Sequence, residues 1–113
     1  NKIIINSMNE NNNKSSKFFG ELMEFYTIFH KKLYDTEDTP LHDPCVIAYL
    51  LEPNIFKGKL VNVIVEENSK LTRGETIVDW LGVTKRQPNC MVINHADDKK
   101  FFELLKNKLS CLP

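Results

Sequence analysis

An imidazole and a carboxylate stand side by side in Leu41-His42-Asp43-Pro44, just before the apolar run Cys45-Val46-Ile47-Ala48-Tyr49-Leu50-Leu51. Asp followed by Pro at the head of such a run predicts a helix with Asp43 as N-cap and Pro44 in the first turn. A carboxylate placed there sits beside free backbone N–H groups, and capping alone accounts for it without any function. The same pair carries a second reading, in which Asp43 holds a hard cation and His42 moves a proton or polarises a leaving group. An unperturbed imidazole titrates near about pH 6.5, so both of its protonation forms are reachable near neutrality. Local sequence by itself favours the cap, because short motifs recur by chance.

The elements that must position this pair follow from periodicity. Lys2-Ile3-Ile4-Ile5 is apolar and closes a helix or a strand, and the polar stretch 6–16, rich in asparagine, reads as a loop of biased composition. From Lys17, Phe18, Leu22, Phe25, Phe29 and Leu33 recur at spacings of three and four, with Phe19, Met23 and Tyr26 widening the stripe. That pattern predicts an amphipathic helix over 17–34 whose aromatics are core. Residues 35–39 form an acidic connector that Pro40 keeps out of any helix. The His-Asp-Pro helix spans 42–52 and ends at Glu52-Pro53. Strands are expected over 59–66, 76–80 and 90–94, the first with the β-branched alternation of Lys59 to Glu66. A final helix over 97–109 presents Phe101, Leu104, Leu105 and Leu109. Helices, then three strands, then a helix give an α/β or α+β chain.

Longer stretches carry a resemblance. Pro40-Leu41-His42-Asp43-Pro44-Cys45-Val46-Ile47-Ala48-Tyr49-Leu50-Leu51-Glu52-Pro53 resembles the C-terminal signature of inosine-uridine-preferring nucleoside hydrolases. Val65-Glu66 followed by Leu71-Thr72-Arg73-Gly74-Glu75-Thr76-Ile77-Val78-Asp79 is similar to that family's "VE…LTRGxTVVD" segment. Pro88-Asn89-Cys90-Met91-Val92 and Asp97-Asp98-Lys99-Lys100-Phe101-Phe102-Glu103-Leu104-Leu105 resemble its closing "PNxxV…DxxxFxxLL". Phe18 to Tyr26 is similar to the helix that leads into the His-Asp-Pro turn. The likeness runs in order from about Lys17 to Leu109. The family's N-terminal DxDxxxDD cluster has no counterpart here, and the chain starts at Asn1 rather than methionine. It is therefore expected to be the C-terminal portion of a nucleoside hydrolase, inactive alone.

The resemblance implies an open, Rossmann-like α/β sheet that this segment completes. It also implies Ca²⁺-dependent hydrolysis of the N-glycosidic bond of ribonucleosides to ribose and free base. In that frame Asp43 is a metal ligand and His42 faces the leaving base. Tyr34 and His30, at the end of the 17–34 helix, fall where family side chains close over the nucleobase. Packing at a helix end remains the alternative for Tyr34, and plain surface exposure for His30 and His95. Thr72-Arg73-Gly74 is assigned to structure, with Gly74 supplying a backbone conformation closed to other residues and Arg73 bonding loop carbonyls or Asp79. Trp80 and Leu81 are either an apolar subunit contact or core. A non-catalytic interaction or oligomerisation module from a truncated hydrolase is the second reading.

Composition narrows the partners. Fifteen basic residues balance fifteen acidic ones, so no long-range attraction to nucleic acid or an anionic membrane is expected. An apolar fraction of 42% supports a modest core. Cys45, Cys90 and Cys111 are too far apart for a C-x-x-C zinc site, and Cys45 and Cys90, in apolar runs, read as small core residues. No apolar stretch is long enough to cross a bilayer and no signal-peptide pattern is visible. The expected setting is cytoplasmic, with the full-length protein a homo-oligomer.

Overall fold

The computed structural model describes residues 2–36 and 40–113, and the expected acidic connector falls partly outside them. Four helices and three strands follow in the order α1 (Lys2–Asn9), α2 (Lys14–Tyr34), α3 (Asp43–Leu51), a 3₁₀ turn (Pro53–Ile55), β1 (Phe56–Val65), β2 (Thr76–Asp79), β3 (Cys90–Ala96) and α4 (Asp98–Ser110). They divide into a helical unit, up to Ile55 and again from Asp97, and a sheet unit, Phe56–Ala96.

In the helical unit the loop expected over 6–16 shrinks to a tight turn, because α1 runs to Asn9 and α2 begins at Lys14. Two of the asparagines there, Asn11 and Asn13, are structural rather than a bias of composition. Asn13 caps α2, its side chain accepting from the Ser16 amide at 2.8 Å. Its Nδ2 also donates to the carbonyls of Leu109 and Leu112, both at 2.8 Å. Asn11 Nδ2 reaches the Lys106 carbonyl at 3.1 Å. These amides tie the start of α2 to carbonyls at the end of α4 and in the tail just beyond it. Gly20 lets α1 approach α2 closely, since a Cβ there would lie 2.6 Å from Asn9 Oδ1. Met8, Ser16 and Met23 are buried around this contact.

The amphipathic stripe of α2 does not face this core. Phe18, Leu22, Phe25, Phe29 and Leu33 are exposed, while the helix packs through the side that carries Ser16, Gly20 and Met23. Small residues let helix backbones approach, so the small face wins the contact and the aromatic face is left open. Helix α4 meets expectation better. Asp97 caps it, accepting from the Lys100 amide at 3.2 Å. Phe101 is buried and Leu104, Leu105 and Leu109 are half-buried. An apolar groove between α3 and α4 is lined by Pro44, Ile47, Leu51, Leu104 and Leu105.

The sheet unit is antiparallel throughout, in the order β2-β1-β3. β1 starts at Phe56, earlier than its alternation suggests, and shifts register between Lys57 and Gly58. Val61 is its buried centre. Beyond the end of β3, the Asn89 amide extends the pairing: Nδ2 donates to Val63 O at 2.9 Å and Oδ1 accepts from Val63 N at 2.8 Å. Cys90, expected in the core, is exposed because β3 is an edge strand of this sheet. Leu81 is exposed at 87% and Trp80 at 36%, which removes the core alternative for Leu81.

Candidate functional site

His42 and Asp43 stand at the first turn of α3, but not in the expected roles. The N-cap is His42, with φ −81° and ψ −48° and no capping bond from its side chain, and Asp43 is already the first residue of the helix. Pro44 follows within the first turn, where its missing N–H costs nothing. Asp43 is displaced from the capping position because helical dihedrals begin one residue earlier than the Asp-Pro pattern suggests. Both side chains are exposed. The turn that carries them is fastened from within. Cys45 N donates to His42 O at 3.0 Å, and Cys45 Sγ donates to Leu41 O at 3.0 Å. Burial pushes the Cys45 thiol above its ordinary value.

His30 and Tyr34 lie at the far end of α2 and join a third ring. Tyr26 meets His30 edge-on at 5.3 Å, and His30 lies tilted against Tyr34 at 4.6 Å. Residues four apart on a helix are neighbours, so the i, i+4, i+8 spacing builds the ladder directly. His30 is half-buried rather than a plain surface residue, and its Nδ1 is buried without a partner among the described residues. Tyr34 is exposed at the open end. The helix stops there because Asp35 turns left-handed, φ 51°, and its N–H closes on Lys31 O at 3.0 Å.

Two pairs are therefore present, His42 with Asp43 and His30 with Tyr34, and no hydrogen bond or ring contact joins them among the described residues. Tyr26 and Cys45 were missed as supporting residues. The spacing Tyr26-x₃-His30-x₃-Tyr34 and the four-residue reach from Cys45 back to Leu41 are the signals that could have found them.

Among the described residues, no group of three or more His, Cys, Asp or Glu side chains converges to hold a metal. Ca²⁺ takes about six to eight oxygens, and Asp43 offers at most two of them. These residues do not make a calcium site by themselves.

The loop over 66–75 is built for structure. Glu66 accepts from the amides of Asn68 at 2.6 Å and Ser69 at 2.9 Å. Gly74 adopts φ 91° and donates to Glu66 O at 2.8 Å, the conformation expected of it. Arg73 is not the partner of Asp79. That carboxylate instead binds the Val83 amide at 3.0 Å, the Thr84 amide at 2.9 Å and the Thr84 hydroxyl. His95 is exposed, as expected.

The model of the family described as inosine-uridine preferring nucleoside hydrolase matches residues 2–103. The chain belongs to that family. The probable ribonucleoside hydrolase of Dictyostelium discoideum is 38% identical over 93 residues, covering 82% of this chain and 27% of the relative. The pyrimidine-specific ribonucleoside hydrolase RihA of Klebsiella pneumoniae is 37% identical over 99 residues, covering 87% of this chain and 32% of its own length. The nucleoside hydrolase segment thus spans about a third or less of these relatives. Its fold matches that of a purine-preferring ribonucleoside hydrolase from Gardnerella vaginalis with a TM-score of 0.75, covering 96% of this chain and 34% of that one at 23% identity. A plant nucleoside hydrolase matches with a TM-score of 0.74 over 97% of this chain and 36% of its own. The α/β class read from the sequence is the fold of this family. No helix of the described residues is long and apolar enough to cross a membrane.

Proposed function

We propose that this chain contributes the leaving-group end of a ribonucleoside N-ribohydrolase, which splits a nucleoside and water into ribose and a free base. One observation carries the reading: the family match runs through His42 and Asp43, and both stand exposed at the start of α3 with Asp43 outside the capping position. Breaking the bond from ribose C1′ to the base nitrogen leaves positive character on the sugar and negative charge on the base. His42 donates a proton to the departing base nitrogen, a transfer typically worth roughly 10²–10⁴-fold. The water that adds to C1′ loses its proton to a carboxylate outside these residues. Asp43 turns toward the sugar, held by a turn that Cys45 fastens. The Tyr26–His30–Tyr34 ladder offers its open end, Tyr34, for stacking on the base.

Asp43 would hold calcium as one ligand, with the other oxygens supplied from outside the described residues. When bound it would hold the ribose hydroxyls and favour deprotonation of the attacking water. The proposed enzyme is a homo-oligomer in a cytoplasmic setting, with the exposed Trp80–Leu81 turn at a subunit contact.

The test is release of reducing sugar from inosine and uridine with added Ca²⁺. The 113-residue chain alone is expected to give none, and the same segment within a complete hydrolase domain to turn over. Robust turnover by the isolated chain would remove the requirement for outside carboxylates. A complete domain inactive on every ribonucleoside would remove the reading.

A further inference from the structure

Both peptide units that flank His42 are fastened to one residue. A peptide unit is planar, so the direction in which a side chain leaves the backbone is set by the planes before and after it. The plane before His42 carries the Leu41 carbonyl, and the plane after it carries the His42 carbonyl. Cys45 donates to both: its Sγ–H to Leu41 O and its backbone N–H to His42 O, each at 3.0 Å. A thiol is largely protonated near neutral pH, so the Sγ–H is there to donate. In a regular α-helical turn, an amide four residues on would take a carbonyl such as Leu41 O. Here the Cys45 amide closes three residues back, and the side chain reaches four residues back in its stead.

No capping bond holds the imidazole itself. The His42 side chain is exposed, and Pro44 has no N–H with which to brace the turn. Cys45 is therefore the first residue after Asp43 that can donate back to it. The path of the ring away from the helix starts from the His42 dihedrals, φ −81° and ψ −48°, which those two bonds fix. We propose that Cys45 is a positioning residue for the hydrolysis: by holding both peptide planes about His42, it aims the imidazole at the departing base. In this role Cys45 touches no substrate and moves no proton. The inference rests on the leaving-group reading for its consequence, but not for the hold on the backbone.

The role requires a donor rather than a thiol. Thr and Val have nearly the same shape, only Thr has an O–H, and a helical Thr hydroxyl can bond the carbonyl four residues back. Cys45→Val and Cys45→Thr are compared by NMR in this chain and by kinetics in a complete hydrolase domain carrying it. The Leu41 carbonyl-carbon shift reports the hydrogen bond, and the three-bond HN–Hα coupling of His42 reports φ. Both signals are expected to move in the Val variant and to return toward the parent in the Thr variant. In the complete domain, kcat for inosine should fall about tenfold or more in the Val variant, since a displacement of about 1 Å can cost roughly 100-fold. KM should change little, p-nitrophenyl riboside should lose far less, and Cys45→Thr should recover most of the loss. Cys45→Ala, which adds no branch to the turn, should match Val in every measurement. Parent-like turnover of inosine in both donor-less variants overturns the proposal, as do equal losses on the two substrates or a Thr variant as slow as Val. Unmoved Leu41 and His42 signals in the Val and Ala variants overturn it too. If His42→Ala costs the two substrates equally while those signals still move and return, the leaving-group reading falls with the aim assigned to Cys45, and only its hold on the backbone is kept.

Discussion

The turns of the sheet unit close their own hydrogen bonds, whereas helices α2 and α3 of the helical unit leave their apolar sides to solvent. Glu66, Ser69, Asp79 and Thr84 each bond backbone amides within five residues of themselves. Polar turn chemistry is local, so a short stretch of chain satisfies it alone. Apolar faces are not local. A stripe is satisfied only by a second surface, and for α2 that surface is not among these residues. The chain therefore joins self-sufficient turns to helices that depend on a partner, and its proposed chemistry sits at the start of one of those helices.

The largest effect expected on this comparison comes from Asp43→Asn in a complete hydrolase domain carrying the segment. Asparagine keeps the shape and removes the charge. The account expects calcium content to fall and kcat/KM to drop by at least about 100-fold, the loss that outer-shell partners alone can cause. Stability should change by only about 0.3–1 kcal/mol, the worth of an exposed charge at a helix N-terminus. Full calcium occupancy by atomic emission with near-normal kcat/KM would return Asp43 to a structural part.

Next in size is a pair of substitutions in the isolated chain. Met8, 1% exposed, fills the α1–α2 contact, so Met8→Ala should cost about 2–5 kcal/mol. Phe25, 71% exposed, should cost less than about 0.5 kcal/mol when changed to Ala. Urea melts of the two variants sharpen the contrast between filled and open faces. Equal losses would mean that the α2 stripe is packed after all.

What could be read from sequence divides along the same line. The strand that holds Val61, the positive-φ glycine at Gly74 and the helix over 97–109 are local signals, and each is present within a few residues of where it is expected. The stripe of α2 was legible as a stripe, but periodicity says that a partner exists and not whether this chain supplies it. Asp43 missed the N-cap by one residue because Asp-Pro allows either register at a helix start. Asn11 and Asn13 looked like bias because their carbonyl partners on α4 lie more than ninety positions away. Cys90 looked buried because an apolar run does not reveal that its strand is an edge.

The smallest effect concerns pH at the 79–84 turn. The Thr84 hydroxyl, then the Thr84 and Val83 amides, hold the Asp79 carboxyl below the usual carboxylate range. A lowered folded value means the stabilisation is fully present above the ordinary Asp range and is lost as pH falls through the lowered value. Amide shifts of Val83 and Thr84, followed by NMR from pH 7 to pH 2, should therefore titrate with a midpoint below about pH 3.9, the unperturbed Asp value. A midpoint at or above that value would break the picture of a self-closed turn.

The most direct test of the account is the response of His42→Ala, in a complete hydrolase domain carrying this segment, to the leaving group. If His42 protonates the departing base, kcat/KM for inosine should fall by roughly 10²–10⁴-fold, while p-nitrophenyl riboside, whose leaving group needs no proton, should lose far less. Equal losses on the two substrates, or no loss on inosine, would contradict the assignment of His42 to the leaving group.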